Sequence, residues 1–167
     1  MALSCASGYY LAANSTCVIC SSVAPGWTTC HNHTHAITCN SSYFLDAVNC
    51  TLCSVNPGWV TCSSASVALT CDTAGGYYLD GSRCTLCNMT NNTFVTCSAA
   101  NVAITCAPTF YVSNGSCLAC SGVYSSWVTC SSNTVALTCV VNYFLNTTSN
   151  NCSLCSAANP LAVTCAS

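Results

Sequence analysis

Short runs of β-branched and aromatic residues alternate along the chain with polar turn residues. Runs of the type WVTC and VALTC are rich in Thr, Val, Ile and Trp and are bounded by Gly, Asn and Ser. This pattern is typical of short β-strands. Hairpin loops are predicted at 74–76, 80–82 and 114–115. Because no stretch has the pattern of an amphipathic helix, we predict a small, mostly β fold with irregular loops and no helix.

These runs belong to one phrase that is repeated along the chain. The phrase at 53–71 reads CSVNPGWVTCSSASVALTC, and related phrases begin at Cys20, Cys87, Cys120 and, incompletely, Cys155. With the cysteine that precedes each copy, the signature is C-x2-C, eight or nine residues, C, eight residues, C. A fixed period predicts a linear array of like units, here β-hairpin repeats of about 33 residues. The predicted repeats are 1–38, which begins within a repeat, 39–70, 71–105, 106–138 and 139–167, which is incomplete.

Aromatic residues recur at two positions in each repeat. The first is a triplet of the YYL type between the last cysteine of one signature and the next C-x2-C: 9–11, 43–45, 77–79, 110–112 and 143–145. The second lies three residues before the third cysteine of each signature: Trp27, Trp59, Phe94, Trp127 and, in the last copy, Ala162. Aromatic residues that recur once per unit are typical of the packing between stacked units. The alternative is a platform on which carbohydrate rings stack.

The cysteine content indicates a disulfide scaffold. Twenty of the 167 residues are cysteine, a fraction above the level that marks disulfide scaffolds in short secreted chains. A unit of about 33 residues is too small to bury a sufficient core by itself. We therefore expect disulfides to replace most of that core. Because such bonds persist in oxidising compartments, we predict an extracellular or cell-surface protein.

Charged side chains are almost absent, with one Arg, no Lys, no Glu and three Asp. Nucleic-acid binding is excluded because phosphate contacts need a basic surface. No apolar run reaches about 18 residues, so no membrane span is predicted. No residues have the spacing of an acid–base pair or an activated nucleophile. We predict that the protein is not an enzyme and has no cofactor.

Asn-x-Ser/Thr sequons are frequent and offer a way to hydrate a surface with so little charge. In a protein of an oxidising compartment, they predict N-linked glycans on exposed loops. The abundant Ser and Thr also permit O-linked sugars. The nine predicted glycosylation sites are Asn14, Asn32, Asn40, Asn49, Asn88, Asn91, Asn114, Asn146 and Asn151.

The three histidines lie on alternate residues, at His31, His33 and His35. On a single strand, their imidazoles would share one face and could bind copper, nickel or zinc. The other repeats have no histidine at the corresponding positions. We therefore treat the three histidines as weak candidates and predict no metal site.

Two disulfide schemes are compatible with the spacing, which cannot by itself decide between them. In the sequential scheme each cysteine bonds the next one, from Cys5–Cys17 to Cys155–Cys165. In the interlocked scheme the first cysteine of a signature bonds the third and the second bonds the fourth, as in Cys17–Cys30 and Cys20–Cys39. The interlocked scheme leaves Cys5 and Cys155 to pair between molecules.

The cysteine spacing resembles the second half of a tumour necrosis factor receptor cysteine-rich repeat and, more loosely, furin-like repeats. The YYL-type triplet and the spelling CTLC at 50–53 and 84–87 resemble cysteine-periodic surface proteins of ciliates, such as immobilisation antigens. The first resemblance implies interlocked pairing. The implied bonds are Cys17–Cys30, Cys20–Cys39, Cys50–Cys62, Cys53–Cys71, Cys84–Cys97, Cys87–Cys106, Cys117–Cys130, Cys120–Cys139 and Cys152–Cys165. The second resemblance implies a protist surface protein.

The first five residues, MALSC, lack the features of a signal peptide and align with the end of an internal signature. We therefore expect either a window on a longer protein or a repeat that a neighbouring copy completes. The favoured hypothesis is a structural glycoprotein, a disulfide-laddered rod that forms or coats an extracellular filament by head-to-tail assembly of its own copies. The alternative is a surface antigen or adhesion module of a longer anchored protein, with a carbohydrate or surface ligand.

Overall fold

The computed structural model describes residues 4–158 and residue 165. The chain divides into two compact units, Met1–Thr85 and Leu86–Ser167. All strands of the described residues pair as hairpins, in nine two-stranded sheets that follow one another along the chain. The prediction of a small, mostly β fold of tandem hairpin repeats is confirmed. The hairpins are of two kinds, which alternate.

Small hairpins carry the YYL-type triplets. In the small hairpin of the strands Tyr43–Asp46 and Asn49–Leu52, Tyr43 lies opposite Leu52 and Phe44 lies opposite Thr51, so the middle residue of the triplet points away from its two neighbours. The loops predicted at 80–82 and 114–115 connect the strands of two small hairpins. The hairpin loop predicted at 74–76 is wrong, because it lies between the strands Val67–Cys71 and Tyr77–Asp80, which do not pair with each other. The small hairpins are β1 (Tyr9–Leu11) with β2 (Cys17–Ile19), β5 (Tyr43–Asp46) with β6 (Asn49–Leu52), β9 (Tyr77–Asp80) with β10 (Arg83–Leu86), β13 (Phe110–Ser113) with β14 (Ser116–Ala119), and β17 (Tyr143–Asn146) with β18 (Asn151–Leu154).

Large hairpins are formed by the WVTC-like and VALTC-like runs. Each of them contains three register shifts between its two strands. The large hairpins are β3 (Trp27–Asn32) with β4 (His35–Cys39), β7 (Trp59–Ser64) with β8 (Val67–Cys71), β11 (Phe94–Ala99) with β12 (Val102–Cys106), and β15 (Trp127–Ser132) with β16 (Val135–Cys139).

The register shifts explain why the large hairpins do not alternate strictly. Trp59 and Cys62 are three residues apart, yet both are buried. In β7–β8, Trp59 pairs with Cys71 and Thr61 pairs with Thr70, so Val60 is an extra residue without a partner. A bulge of this kind changes which side chains face the core. As a result, Val60 is left on the exposed side of the hairpin.

The second cysteine of each C-x2-C motif begins a single helical turn. In the described part of the chain, no helix is longer than four residues. The sequence predicted no helix, and the structure differs by these short turns. They are the 3-10 turns Cys20–Ser22, Cys53–Val55 and Cys120–Gly122 and the α-turns Cys87–Thr90 and Cys155–Ala158.

Three of the large hairpins enclose a small core around a tryptophan. Trp59 packs with Phe44, Cys53, Cys62 and Ala68. Clusters of the same kind surround Trp27 in the same unit and Trp127 in the unit Leu86–Ser167. The aromatic residues three positions before the third cysteine are buried at Trp27, Trp59, Phe94 and Trp127, as a packing role requires, whereas Tyr9 of the first triplet is exposed and Ala162 lies outside the described residues. A ring buried in this way presents no face to a sugar, which argues against the stacking platform at these positions.

The disulfides follow the sequential scheme. They are Cys5–Cys17, Cys20–Cys30, Cys39–Cys50, Cys53–Cys62, Cys71–Cys84, Cys87–Cys97, Cys106–Cys117, Cys120–Cys130, Cys139–Cys152 and Cys155–Cys165. All nine interlocked bonds that the resemblance implied are therefore wrong: Cys17–Cys30, Cys20–Cys39, Cys50–Cys62, Cys53–Cys71, Cys84–Cys97, Cys87–Cys106, Cys117–Cys130, Cys120–Cys139 and Cys152–Cys165. The expected intermolecular pairing of Cys5 and Cys155 is wrong for the same reason, since both bond within the chain.

The two cysteines of a C-x2-C motif lie in different environments, and this decides their partners. Cys53 begins a helical turn inside the core, where Cys62 also lies, and both are buried. Cys50 lies in β6, is half-buried and packs against the preceding core, around Trp27, 5.6 Å from Cys39 between their Cα atoms. A disulfide needs a Cα–Cα distance of about 4.4–6.8 Å. We call bonds of the Cys53–Cys62 type core bridges and bonds of the Cys39–Cys50 type linking bridges.

Candidate functional site

The nine sequons lie at hairpin tips and in connections. None of their asparagines is buried, and Asn14, Asn40, Asn49, Asn88, Asn91 and Asn114 are exposed. Asn32, Asn146 and Asn151 are half-buried. Asn114 lies in the turn between β13 and β14, with a positive φ of 50° that suits a tight hairpin. The positions are compatible with attached sugars, which need exposed loops.

Five of the sequons adopt the same local turn. In each, the side-chain oxygen of Asn accepts a hydrogen bond from the backbone N–H two residues later, at 2.8–3.2 Å. This arrangement is an Asx turn. It engages Oδ1 and leaves Nδ2, the atom that receives a sugar, outside the turn. These sequons are Asn14, Asn32, Asn40, Asn91 and Asn146.

Asn151 has a structural role besides its place in a sequon. The Nε1–H of Trp127 donates a hydrogen bond of 2.7 Å to Oδ1 of Asn151. The backbone N–H of Cys152 donates a second bond, of 2.8 Å, to the same oxygen. Trp127 is only 1% exposed, so its indole N–H depends on a protein acceptor.

The three histidines do not share one strand, so that premise of the metal candidate is wrong. His31 lies in β3, His33 lies in the turn, and His35 is the first residue of β4. All three side chains are exposed. Nδ1 of His35 lies 2.7 Å from Oγ1 of Thr34. In residues 4–158 and 165, no group of three His, Cys, Asp or Glu side chains is placed to hold a metal ion.

A cavity of about 410 Å³ lies in the unit Leu86–Ser167. Its described lining is apolar or weakly polar and includes the hydroxyl groups of Thr138 and Tyr143. The cysteines in the lining are bonded in disulfides. The part of the lining that the structure describes offers a place for an apolar group, and none of those residues carries a carboxylate or an imidazole. The described lining residues are Leu137, Thr138, Cys139, Tyr143, Phe144, Leu145 and Cys165.

The exposed face of each large hairpin carries a recurring pair of threonines. Their Oγ1 atoms are 2.6–2.7 Å apart, within hydrogen-bond distance, in Thr29–Thr38, Thr61–Thr70, Thr96–Thr105 and Thr129–Thr138. Large apolar side chains that are exposed stand next to these threonines in the sequence: Ile37, Val60, Leu69, Val95, Ile104, Val128 and Leu137. We call the threonine pair and its apolar neighbours on one large hairpin a hairpin patch.

The hairpin patches are the feature that sequence reasoning missed. Strict alternation predicts one apolar face per strand, whereas the bulges leave apolar residues on both sides of the hairpin. A signal was present in the spacing. Trp59 and Cys62 are three residues apart in a predicted strand, and both could face one core only if the strand contained a bulge.

No helix in the described part of the chain is long and apolar enough to cross a membrane. No family model, curated protein or solved structure matches the chain. The resemblance to receptor repeats and to ciliate surface proteins therefore stays a prediction.

Proposed function

We propose that this chain is a non-catalytic structural glycoprotein that forms or coats an extracellular filament or surface layer by head-to-tail assembly of its copies. The observation that carries the proposal is the way in which each large hairpin is joined to the small hairpin that follows it. Four equivalent hydrogen bonds and four linking bridges make this junction.

The hydrogen bonds run from a buried alanine in the second strand of the large hairpin to the tip of the next small hairpin. The N–H of Ala68 donates to the carbonyl of Ser82 at 2.8 Å. The equivalent bonds are Ala36 to Val48, Ala103 to Gly115 and Ala136 to Asn150. The same strand is tied to that small hairpin by a linking bridge. Each repeat is thus coupled to its neighbour by the same contacts.

Side chains of the following small hairpin also complete the preceding core. Cys50 packs against the core around Trp27, and Cys84 packs against the core around Trp59. Leu145 takes a similar place beside the core of Trp127. Stability in such an array comes from each unit and from its nearest neighbours. A contact of this kind between two copies would join a large hairpin of one copy to a small hairpin of the other. Because the two surfaces differ, the contact is heterologous and can be repeated from copy to copy, so that the assembly grows without a fixed number of copies.

Disulfides and sequons support the extracellular and glycosylated parts of the proposal. Ten disulfides persist in an oxidising environment. Sugars at the hairpin tips would hydrate a surface that has only four charged side chains, one basic and three acidic.

The test is electron microscopy of the secreted, glycosylated chain after purification under non-reducing conditions. We expect filaments whose number rises with protein concentration, because head-to-tail association is a mass-action process. The filaments should disappear when the same sample is treated with a reductant that opens the disulfides. Dispersed monomers at all concentrations would overturn the proposal and would favour the antigen or adhesion module.

A further inference from the structure

In the complete cores, an aromatic ring lies between the small hairpin and the core bridge that follows it. The ring of Trp59 packs with Phe44, the middle residue of its triplet, and with Cys62, the last cysteine of its core bridge. The core around Trp127 has the same composition, with a tyrosine and a cysteine in the equivalent places. The middle aromatic residue of a triplet and the last cysteine of a core bridge therefore enclose one aromatic ring.

In the fifth repeat the equivalent residues enclose a cavity. Phe144 and Cys165 both line the cavity of about 410 Å³ in the unit Leu86–Ser167. The residue three positions before Cys165 is Ala162, where the other repeats have Trp or Phe, and it lies outside the described residues. Pockets that hold small ligands typically have volumes of about 300–1,000 Å³. The cavity thus stands where the complete cores contain an aromatic ring.

The burial of the core bridges supports this comparison. Cys165 is exposed, although it is bonded to Cys155, which is only 1% exposed. The fifth core is therefore closed at the helical turn that Cys155 begins and open at Cys165. The equivalents of Cys165 in the other repeats are all 1–7% exposed: Cys30, Cys62, Cys97 and Cys130.

The middle aromatic residue of the fifth triplet is also less buried than most of its equivalents. Phe144 is half-buried. Tyr10 of the first triplet is half-buried as well, but it packs against the core around Trp27. Because Phe144 lines the cavity, an aromatic ligand can stack on its ring or meet it edge to face. The remaining equivalents are 4–8% exposed: Phe44, Tyr78 and Tyr111.

The described lining defines the chemistry of the ligand. It contains apolar side chains, disulfides and two hydroxyl groups, and none of its described residues is charged at neutral pH. Oγ1 of Thr138 lies 2.6 Å from Oγ1 of Thr129, so this hydroxyl already has a partner. The hydroxyl of Tyr143 can donate or accept one hydrogen bond. A charged ligand would lose hydration in this lining and gain no ion pair from it.

We propose that this cavity binds a small, neutral aromatic compound, whose ring takes the place that Trp59 and Trp127 fill in the complete cores. A ring that carries one N–H or O–H suits the site, because Tyr143 offers an acceptor for it. The indole N–H of Trp127 also donates to a protein acceptor, Oδ1 of Asn151. This binding site goes beyond the proposed function and does not depend on it, since the cavity lies within one unit.

The experiment titrates indole into the intact, disulfide-bonded chain by isothermal titration calorimetry. Ala162→Trp introduces the ring that the other repeats have, and Phe144→Leu removes an aromatic face but keeps an apolar side chain. Each has a matched control in the other unit. Ala65→Trp adds the same ring at an exposed turn, and Phe44→Leu makes the same substitution in a complete core. Absence of free thiols and an unchanged circular dichroism spectrum verify folding of every variant.

We expect saturable binding of one indole per chain. Ala162→Trp should weaken it by roughly tenfold or more, because the new ring competes for the cavity. Phe144→Leu should weaken it by about twofold to tenfold, as the loss of one aromatic pair predicts. Both controls should bind indole as the unaltered chain does. Indole-3-acetate should bind roughly tenfold or more weakly than indole, because its carboxylate meets no positive charge.

The inference is overturned if indole does not bind saturably up to its solubility limit, or if Ala162→Trp binds it as well as the unaltered chain does. Equal weakening by the controls, or equal binding of indole-3-acetate, would also contradict it. Failure of the proposed function is seen separately. Filaments without indole binding would refute only this site, and indole binding by a chain that stays monomeric would refute only the filament.

Discussion

At the scale of single residues, a few side chains make stabilising contacts that the repeat pattern alone does not require. Asn151 accepts the indole N–H of Trp127 in the unit Leu86–Ser167. Asn49 is the first residue of β6 and Asn151 is the first residue of β18, and both belong to a sequon. Equivalent positions can therefore differ in what they contribute to stability.

Replacing Asn151 by Ala should destabilise the protein by about 1–3 kcal/mol, because the buried indole N–H loses its acceptor. The measurement is the free energy of unfolding in denaturant without reductant. Asn49→Ala is the matched control, since it also removes one sequon, and its effect should be below about 0.5 kcal/mol. Equal effects of the two substitutions would show that the bond to Trp127 contributes nothing measurable.

Gly58 is required by its backbone and by its neighbour. Its φ is +76°, and a Cβ atom built there overlaps the ring of Tyr77. Gly58→Ala should therefore lower the free energy of unfolding by about 1–3 kcal/mol. At Gly122 a Cβ atom would meet open space, so Gly122→Ala serves as the control and should change stability little. A neutral Gly58→Ala would mean that Tyr77 moves aside freely.

At the scale of elements, the two kinds of disulfide differ in access. The cysteines of the core bridges Cys20–Cys30, Cys53–Cys62, Cys87–Cys97 and Cys120–Cys130 are 0–7% exposed. Those of the linking bridges between large and small hairpins are half-buried. A small reductant must bring its thiolate to a sulfur atom before exchange can begin.

Under mild reduction we therefore expect the linking bridges to open first. Brief treatment of the folded chain, alkylation of new thiols and peptide mass spectrometry would rank the bonds. Cys39 and Cys50 should be labelled before Cys53 and Cys62. The two bonds close loops of similar length, since the bonded residues lie 11 and 9 positions apart, so a difference in labelling would reflect burial. The unreduced sample serves as control and should yield Cys5 joined to Cys17. If cysteines of the linking bridges and of the core bridges were labelled at the same time, burial would not determine the order of reduction.

The elements also show where local pattern was sufficient. The loops at 80–82 and 114–115 were predictable because Gly tolerates the backbone of a tight turn, and both are found between paired strands. The histidines were not predictable in this way. Their alternation suggested one strand, but the chain turns at His33, and a hairpin turn without Gly has a weaker local signal.

At the scale of the whole molecule, solubility is the property that the composition makes unusual. Only four side chains are charged, and many large apolar side chains are exposed. Water must be held by hydroxyls, amides and, under the proposed function, by sugars.

Removing N-linked sugars from the folded, secreted chain should lower its solubility several-fold. Exposed apolar side chains of different molecules can then come into contact, because the few charged side chains repel the molecules only weakly. Light scattering against protein concentration measures the change, and a mock digest is the control. A variant that combines Leu69→Asp with Ile104→Asp should lose less solubility on the same treatment, since both substitutions place charge at exposed apolar positions. Unchanged scattering after complete deglycosylation would contradict the role given to the sugars.

The sequence by itself determined the properties that depend on near neighbours. Strand-forming runs, turns with Gly, the period of about 33 residues and the need for disulfides all follow from local composition and repetition. The packing role of Trp27, Trp59, Phe94 and Trp127 also followed, because a residue type that recurs in every unit meets the same neighbours in every unit.

Only the tertiary structure decided which residues are bonded to each other in disulfides and in long-range hydrogen bonds. Two pairing schemes used the same cysteines at the same spacings, and the choice rests on which sulfur atoms the hairpins bring within bonding distance. Bulges decided which apolar side chains stay outside, and the hydrogen bond from Trp127 to Asn151 joins residues 24 positions apart. Such contacts depend on distances in space between distant residues, which spacing along the chain does not specify.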